Sequence, residues 1–268
     1  MKGIFKLITV NSVLLYLLAY IVMFVITRLS AAIAASAFNI PSIIYYYDID
    51  YLITSHDWSA DAVNTIFSAS PLIAFIFALG LFALYREIIS FSGISGIFIA
   101  WLFLIFFGYF AGELIAGSIL NKGFGYVLMY MFVMDTGRLA LTVLAGLAIL
   151  LAGRAISRML LYSGNIYFND LKDIYKLKYA IYQFILPFII GTAILQICEI
   201  PNFSIYLFLS RLSLILVLLP LIPRSMSIPD LYFEEDTKSP AFSKTLLIIT
   251  ILALIAYRVL FGIGLRLF

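Results

Sequence analysis

Residues 94–115 read ISGIFIAWLFLIFFGYFAGELI, a run with one charge, Glu113, and no proline. An α-helix needs about 20 predominantly apolar residues to cross the hydrocarbon core of a bilayer. This run has that length, and it commits the chain to a membrane. The same reading finds six more stretches, at 4–27, 66–85, 124–153, 179–200, 203–222 and 245–261.

The whole composition agrees. Of 268 residues 64% are apolar and 12% charged, with a mean hydropathy of +1.11. Soluble domains carry about 25% charge, and disordered chains need still fewer apolar residues. Both classes are excluded. The expectation is an all-α polytopic membrane protein, a bundle of about seven transmembrane helices forming one domain over residues 1–268. Six spans are the alternative, because the last stretch is short and ends in Phe-Gly-Ile-Gly-Leu-Arg-Leu-Phe, whose end is expected to fray. The fourth stretch is long and interrupted by Asp135-Thr136-Gly137. It reads either as one tilted helix or as a short half-helix followed by a helix that Asp135 caps.

Charge sets the expected orientation. With the N-terminus inside, the inner loops hold Lys2, Lys6, Arg86, Arg154, Arg158, Lys172, Lys176, Lys178, Arg224, Lys238 and Lys244. The outer segments hold Arg28, Lys122 and Arg266. Cytoplasmic loops carry the excess of Lys and Arg, so the reading is N-in and C-out, in a cell (inner) membrane. The first stretch has a basic start and small residues after it at 31–37. Its apolar run exceeds the roughly 7–15 residues of a signal peptide, and it reads as a retained signal anchor.

Three segments outside the spans stand out. Residues 28–65 combine an Ala-rich run, Pro41, Tyr45–Tyr47, Tyr51 and Trp58. Tyr and Trp favour the headgroup level, so this outer loop reads as an interfacial cap, with a gating lid as the alternative. A short helix is expected from Ser59, with Pro71 in the first turn of the span that follows. Residues 163–178 suit an interfacial amphipathic helix. Residues 223–244, with Glu234-Glu235-Asp236, read as an exposed loop.

Six charges fall within the spans: Glu113, Asp135, Arg138, Glu199, Arg211 and Arg258. Each costs about 2.5–3.5 kcal/mol at the bilayer centre on insertion scales, so it should face a partner or water. From a rise of about 1.5 Å per residue, Asp135 and Arg138 are expected near the midplane and Glu113 and Glu199 near the outer interface. Asp135 and Arg138 share a face with Thr142 and Gly146, and Thr192, Gln196 and Glu199 share another. Arg211 and Arg258 are the candidate counter-charges. These residues form a candidate polar cluster open to the outside, against the alternative that the pairs only fix helix packing. Gly108, Gly112 and Ala116 form a small-residue ridge beside Glu113, for close packing of another helix.

Short motifs are sparse. Gly93-Ile94-Ser95-Gly96 matches the Gly-x-Ser-Gly pattern of rhomboid proteases, but the single histidine, His56, lies upstream instead of on a later span. Ser70-Pro71-Leu72-Ile73-Ala74-Phe75 and Met134-Asp135-Thr136-Gly137-Arg138-Leu139 resemble degraded forms of two site-2-protease motifs, in the second of which Asp135 would take the place of a zinc ligand. The upstream His-Glu-x-x-His element is absent from the sequence, and zinc catalysis needs about three protein ligands. The resemblance implies at most a non-proteolytic relative. His56, Asp57 and Asp61 are the outer-loop acid–base candidates. One histidine and one cysteine, Cys198, exclude His clusters and Cys-rich sites, so no metal or cofactor is expected.

The expected partners are the lipid bilayer and a membrane protein; dispersed basic residues give no basis for nucleic acid. The first functional expectation is a non-catalytic structural or interaction component of a membrane assembly. A transporter or channel using Asp135, Arg138 and Arg211 is the second. An outer-leaflet lipid-modifying enzyme using Glu113, Glu199 and His56 is the third.

Overall fold

The computed structural model describes residues 2–88, 93–233 and 241–267. The acidic run Glu234-Glu235-Asp236 lies outside them. Among the described residues seven helices are long and apolar enough to cross a membrane. The first three are single: α1 (Lys2–Ser36), α2 (Ala60–Ile88) and α3 (Ile94–Leu120). A short α4 (Phe124–Tyr130) precedes the fourth, α5 (Asp135–Tyr162). The fifth joins α6 (Asp173–Ala180) to α7 (Leu186–Cys198) through a π turn at Ile181–Ile185. The sixth is broken into α8 (Ile205–Leu212), α9 (Leu214–Leu218) and α10 (Leu221–Ser227), and the seventh is α11 (Lys244–Ile263).

Helices α1 and α3 form the centre. Two-thirds (67%) of the apolar window of α1 is buried inside the protein, against 17% for α5 and for α11. The outward leucines and valines of α5, such as Leu139, Val143, Leu144 and Leu147, are exposed. Lipid tails solvate such a face as well as a protein core does. No water is present at that depth, so backbone groups freed by irregular turns must find protein partners. The π turn shows this: the carbonyls of Tyr182 and Gln183 accept from Thr9 Oγ1 (3.0 Å) and Ser12 Oγ (2.5 Å) on α1. Trp101 Nε1 and Gln183 Nε2 then donate to the same Ser12 hydroxyl, at 2.7 and 3.0 Å.

The small-residue ridge of α3 packs inside the bundle. Gly108 faces Leu214, and Gly112 faces Ser210 and Ser213 of the sixth span. A Cβ on Gly112 would lie 2.3 Å from the Ser210 carbonyl oxygen. Gly112→Ala is therefore expected to destabilise the protein by about 1–3 kcal/mol, the usual cost of overpacking. The measurement is thermal unfolding in detergent, with Gly146→Ala as the control, since nothing lies within 4 Å of a Cβ there.

One end of the bundle carries residues 37–59, the α3–α4 turn and the chain's last strand; we refer to it as the loop end. Strands β1 (Ser42–Ile44), β2 (Ile49–Tyr51) and β5 (Leu265–Leu267) form an antiparallel sheet in the order β2-β1-β5. Ser42 pairs with Tyr51 on one side and Leu267 on the other. The end of the seventh span, expected to fray, is paired as a strand with β1. At the opposite end β3 (Asp170–Leu171) pairs with β4 (Leu231–Tyr232). Residues 163–178, expected as one amphipathic helix, are a short 3-10 turn, a strand and the start of α6.

Two further expectations are corrected. Helix α2 starts at Ala60, where Ser59 Oγ accepts the Ala62 amide (3.1 Å), and it continues to Ile88 with Pro71 in its interior. Neighbouring helices support such a proline in a membrane span; beside it Ser70 Oγ donates to the Thr27 carbonyl at 2.7 Å. Helix α1 runs on through the Ala-rich segment to Ser36, which carries Arg28 inside the helix instead of into an outer loop.

Candidate functional site

The charged residues at membrane depth fall into four separate places. Glu199 and Arg211 meet in a salt bridge, with side chains only 1% and 3% exposed. Arg211 Nη2 also donates to the Tyr20 hydroxyl at 2.7 Å, and its guanidinium lies 4.6 Å from that ring's centre. Gln196 Nε2 donates to the second Glu199 oxygen (3.2 Å), while Thr192 bonds the Tyr16 hydroxyl (2.9 Å). The stripe Thr192, Gln196, Glu199 therefore faces α1 and α8. Glu199, expected near an interface, follows the last residue of α7 and is fully buried in protein.

Asp135 and Arg138, expected mid-span, stand in the first turn of a helix. The chain breaks at 131–134, so Asp135 opens α5 and its side chain is 93% exposed. Arg138 pairs with it across one turn and reaches Asn121, the residue that ends α3. The pair ties two helix ends together at the loop end. Arg258 finds no carboxylate among the described residues. It donates to the Ile200 carbonyl at 3.0 Å and lies 4.1 Å from the centre of the Tyr46 ring. His56, Asp57 and Asp61 are exposed, and Asp57 accepts from Thr54 Oγ1 at 2.6 Å. Among the described residues no three His, Cys, Asp or Glu side chains converge as metal ligands.

Glu113 is the exception. It is buried, 3% exposed, and one carboxylate oxygen accepts from the Tyr206 hydroxyl of α8. Gly123 makes this contact possible. Its φ of +53° is left-handed, and a Cβ there would lie 1.9 Å from the Tyr206 hydroxyl oxygen. Any side chain would push Tyr206 off the carboxylate.

Glu113 and Tyr206 line a cavity of about 760 Å³ at the loop end. Helix α1 contributes Arg28 and Ala31, and α2 contributes Phe67 and Ser70. The capping loop adds Asp48, Asp50, Tyr51 and Trp58, and Tyr109 and Lys122 complete the polar lining. The wall is both charged and aromatic. Tyr51, Trp58, Phe67 and Tyr126 form one connected group of rings, with centroid separations between 5.0 and 5.7 Å. Burial holds the Tyr51 phenol well above its ordinary pKa, so it lines the cavity as a neutral hydroxyl.

Arg28 is the feature that burial and bonding do not explain. It is 8% exposed, its guanidinium rests 5.5 Å from the Phe24 ring centre, and it makes no hydrogen bond or ion pair with any described residue. Asp48 and Glu113 are the carboxylates close enough to act on it electrostatically. A smaller void of about 30 Å³, room for about one water, also touches Arg28 and Tyr109 and reaches Tyr20 and Arg211. Arg28 thus stands between the large cavity and the buried Glu199–Arg211 pair.

As site residues, the sequence alone does not point to Arg28, Tyr109, Tyr206, Phe67 or Tyr126, whereas Tyr51 and Trp58 belong to the expected cap or lid. Two signals for them are nonetheless present in the chain. The Ala-rich run at 29–37 continues the helical pattern past Arg28, and Tyr109 precedes Glu113 by four residues, on the same helical face. Compared with protein-family models, curated proteins and solved structures, the chain matches none.

Proposed function

We propose that this chain is a multi-pass protein of a cell membrane, N-terminus inside and C-terminus outside, that binds an amphiphilic, lipid-like molecule in its loop-end cavity. The observation that carries the reading is a cavity of about 760 Å³ whose wall holds a buried, unpaired arginine beside a cluster of aromatic rings. Ligand sites combine a mostly apolar wall with a few placed polar groups. A buried charge without a protein partner is costly and marks function at membrane depth. Orientation follows from the positive-inside bias, and it puts the cavity and the tyrosine-rich cap at the outer leaflet. There a lipid needs only to lift its head into the protein. Glu113, held by Tyr206, is the carboxylate available for proton transfer if the bound molecule is chemically altered.

The test is native mass spectrometry of the detergent-purified protein. The wild type is expected to retain lipid. Ser55→Trp, which fills the cavity from an exposed loop position, is expected to lower retention about tenfold, equivalent to roughly 1.4 kcal/mol. Equal retention by both proteins would refute the reading.

A second reading, a non-catalytic component of a membrane assembly, is favoured by α5. None of its residues before Ile149 is buried, which leaves half of a spanning helix for lipid or for a partner helix. A stoichiometric protein partner in the same spectra would support it.

A further inference from the structure

We infer that the cavity's ligand is zwitterionic: an amphiphile whose head joins a phosphate ester to an ammonium group. The inference rests on the amphiphile reading above and names the chemistry of the head.

Charge on the wall is mixed. Arg28 and Lys122 oppose Asp48, Asp50 and Glu113. A purely anionic head would satisfy the two cations but face three carboxylates. A purely cationic head would leave Arg28 buried and still unpaired. A head with both charges answers both sets: its phosphate meets the buried Arg28, and its ammonium meets the exposed Asp48 and Asp50.

The arrangement gives each charge a place. The Arg28 guanidinium has donors that no described residue accepts, and a planar fork of donors matches phosphate geometry. Lys122, at the rim, adds a second cation. Beside Arg28 lies Tyr51, which feels its charge and belongs to the ring group with Trp58, Phe67 and Tyr126. Aromatic faces attract ammonium groups, more so when these are desolvated. Asp48 and Asp50, flanking Ile49 in the same capping loop, supply the opposite charge. The phosphate therefore sits on Arg28 and the ammonium among the rings and aspartates.

Phosphatidylethanolamine and phosphatidylcholine both carry this head, and phosphatidylglycerol and diacylglycerol do not. The full-length protein in neutral detergent is titrated with short-chain forms of all four, reading bound stoichiometry by native mass spectrometry and the ligand-induced rise in thermal midpoint. Expected is binding of one or both zwitterionic lipids at least about tenfold tighter than of the other two. Preference for the ethanolamine head would assign the ammonium to Asp48 and Asp50; preference for choline would assign it to the rings. Arg28→Gln should remove the advantage over diacylglycerol. Trp58→Ala should remove a choline head's advantage over phosphatidylglycerol, and Asp48→Asn with Asp50→Asn an ethanolamine head's, so the inference stays testable even if the Arg28 variant does not fold. Equal binding of phosphatidylglycerol, or of all four lipids, blocked by Ser55→Trp, would overturn the zwitterion and leave the amphiphile reading standing. No binding, or binding indifferent to Ser55→Trp, would overturn both.

Discussion

Arg211→Gln, with Glu199 retained, is expected to lower stability by about 3–5 kcal/mol, the cost of stranding one partner of a buried ion pair. The pair is almost fully enclosed, at 3% and 1% side-chain exposure. Removing Arg211 leaves the Glu199 carboxylate with Gln196 as its remaining hydrogen-bond partner and also breaks the bond to Tyr20. Glu199→Gln strands the guanidinium in the same way, where Nε and Nη1 already lack protein acceptors. The double variant carries two neutral amides and no buried charge, so it should recover a large part of either loss. A cycle of this kind isolates the coupling when the residues touch. Reversible unfolding in detergent gives all four values. Single variants that differ from wild type by less than about 1 kcal/mol would place the pair in the class of solvated surface bridges and contradict its enclosure.

The fold was open to reading because it depends on local quantities. Seven apolar runs of sufficient length specify seven helices, and the Asp135-Thr136-Gly137 interruption marks the place where the structure begins α5. The depth of charges is less readable, since it depends on where each helix begins. A helix boundary that ends at Thr27 puts Arg28 in a loop, whereas the actual end at Ser36 buries it about 12 Å from the terminus at 1.5 Å per residue. Taking 124–153 as one helix puts Asp135 mid-span, whereas the break at 131–134 moves it to the helix start.

Pairing of the charges was least readable. Glu199 and Arg211 lie twelve residues apart on different helices, and Glu113 meets Tyr206 across ninety-three positions. Such contacts depend on how α3, α7 and α8 pack around α1. The hydrophobic pattern that defines these helices is nearly uniform around α3, which packs against α1, α2, α5 and α8. It therefore gives little information about which face meets which neighbour. The ridge of Gly108 and Gly112 is the local exception: small residues at successive turns admit the backbone of the sixth span, and this close approach brings Tyr206 to Glu113.

Arg28→Gln is expected to change the stability of the lipid-free protein by no more than about 1 kcal/mol, far less than the loss for Arg211→Gln, while removing the response to lipid. Both arginines are buried, at 8% and 7% exposure, so burial alone predicts the same result for both. Their partners separate them. Arg211 has a carboxylate and a phenol in contact; Arg28 lies over the face of the Phe24 ring, with two carboxylates acting from beyond ion-pair distance. An isolated charge costs about 2.5–3.5 kcal/mol at the bilayer centre on insertion scales. The attraction of Asp48 and Glu113, with the Tyr109 and Tyr20 hydroxyls, offsets that cost, which is why the expected change is small. The glutamine keeps a hydrogen-bonding group of moderate size and strands no protein partner. Thermal unfolding of delipidated protein reads this change, and the same variant should lose the midpoint rise that a bound phospholipid gives wild type, since a ligand stabilises only the form that binds it. Stability nearly unchanged and lipid response lost together assign Arg28 to ligand binding, because a residue kept for packing would lower stability when replaced. A loss of about 3 kcal/mol or more without lipid would instead make Arg28 a structural cation for Asp48 and Glu113.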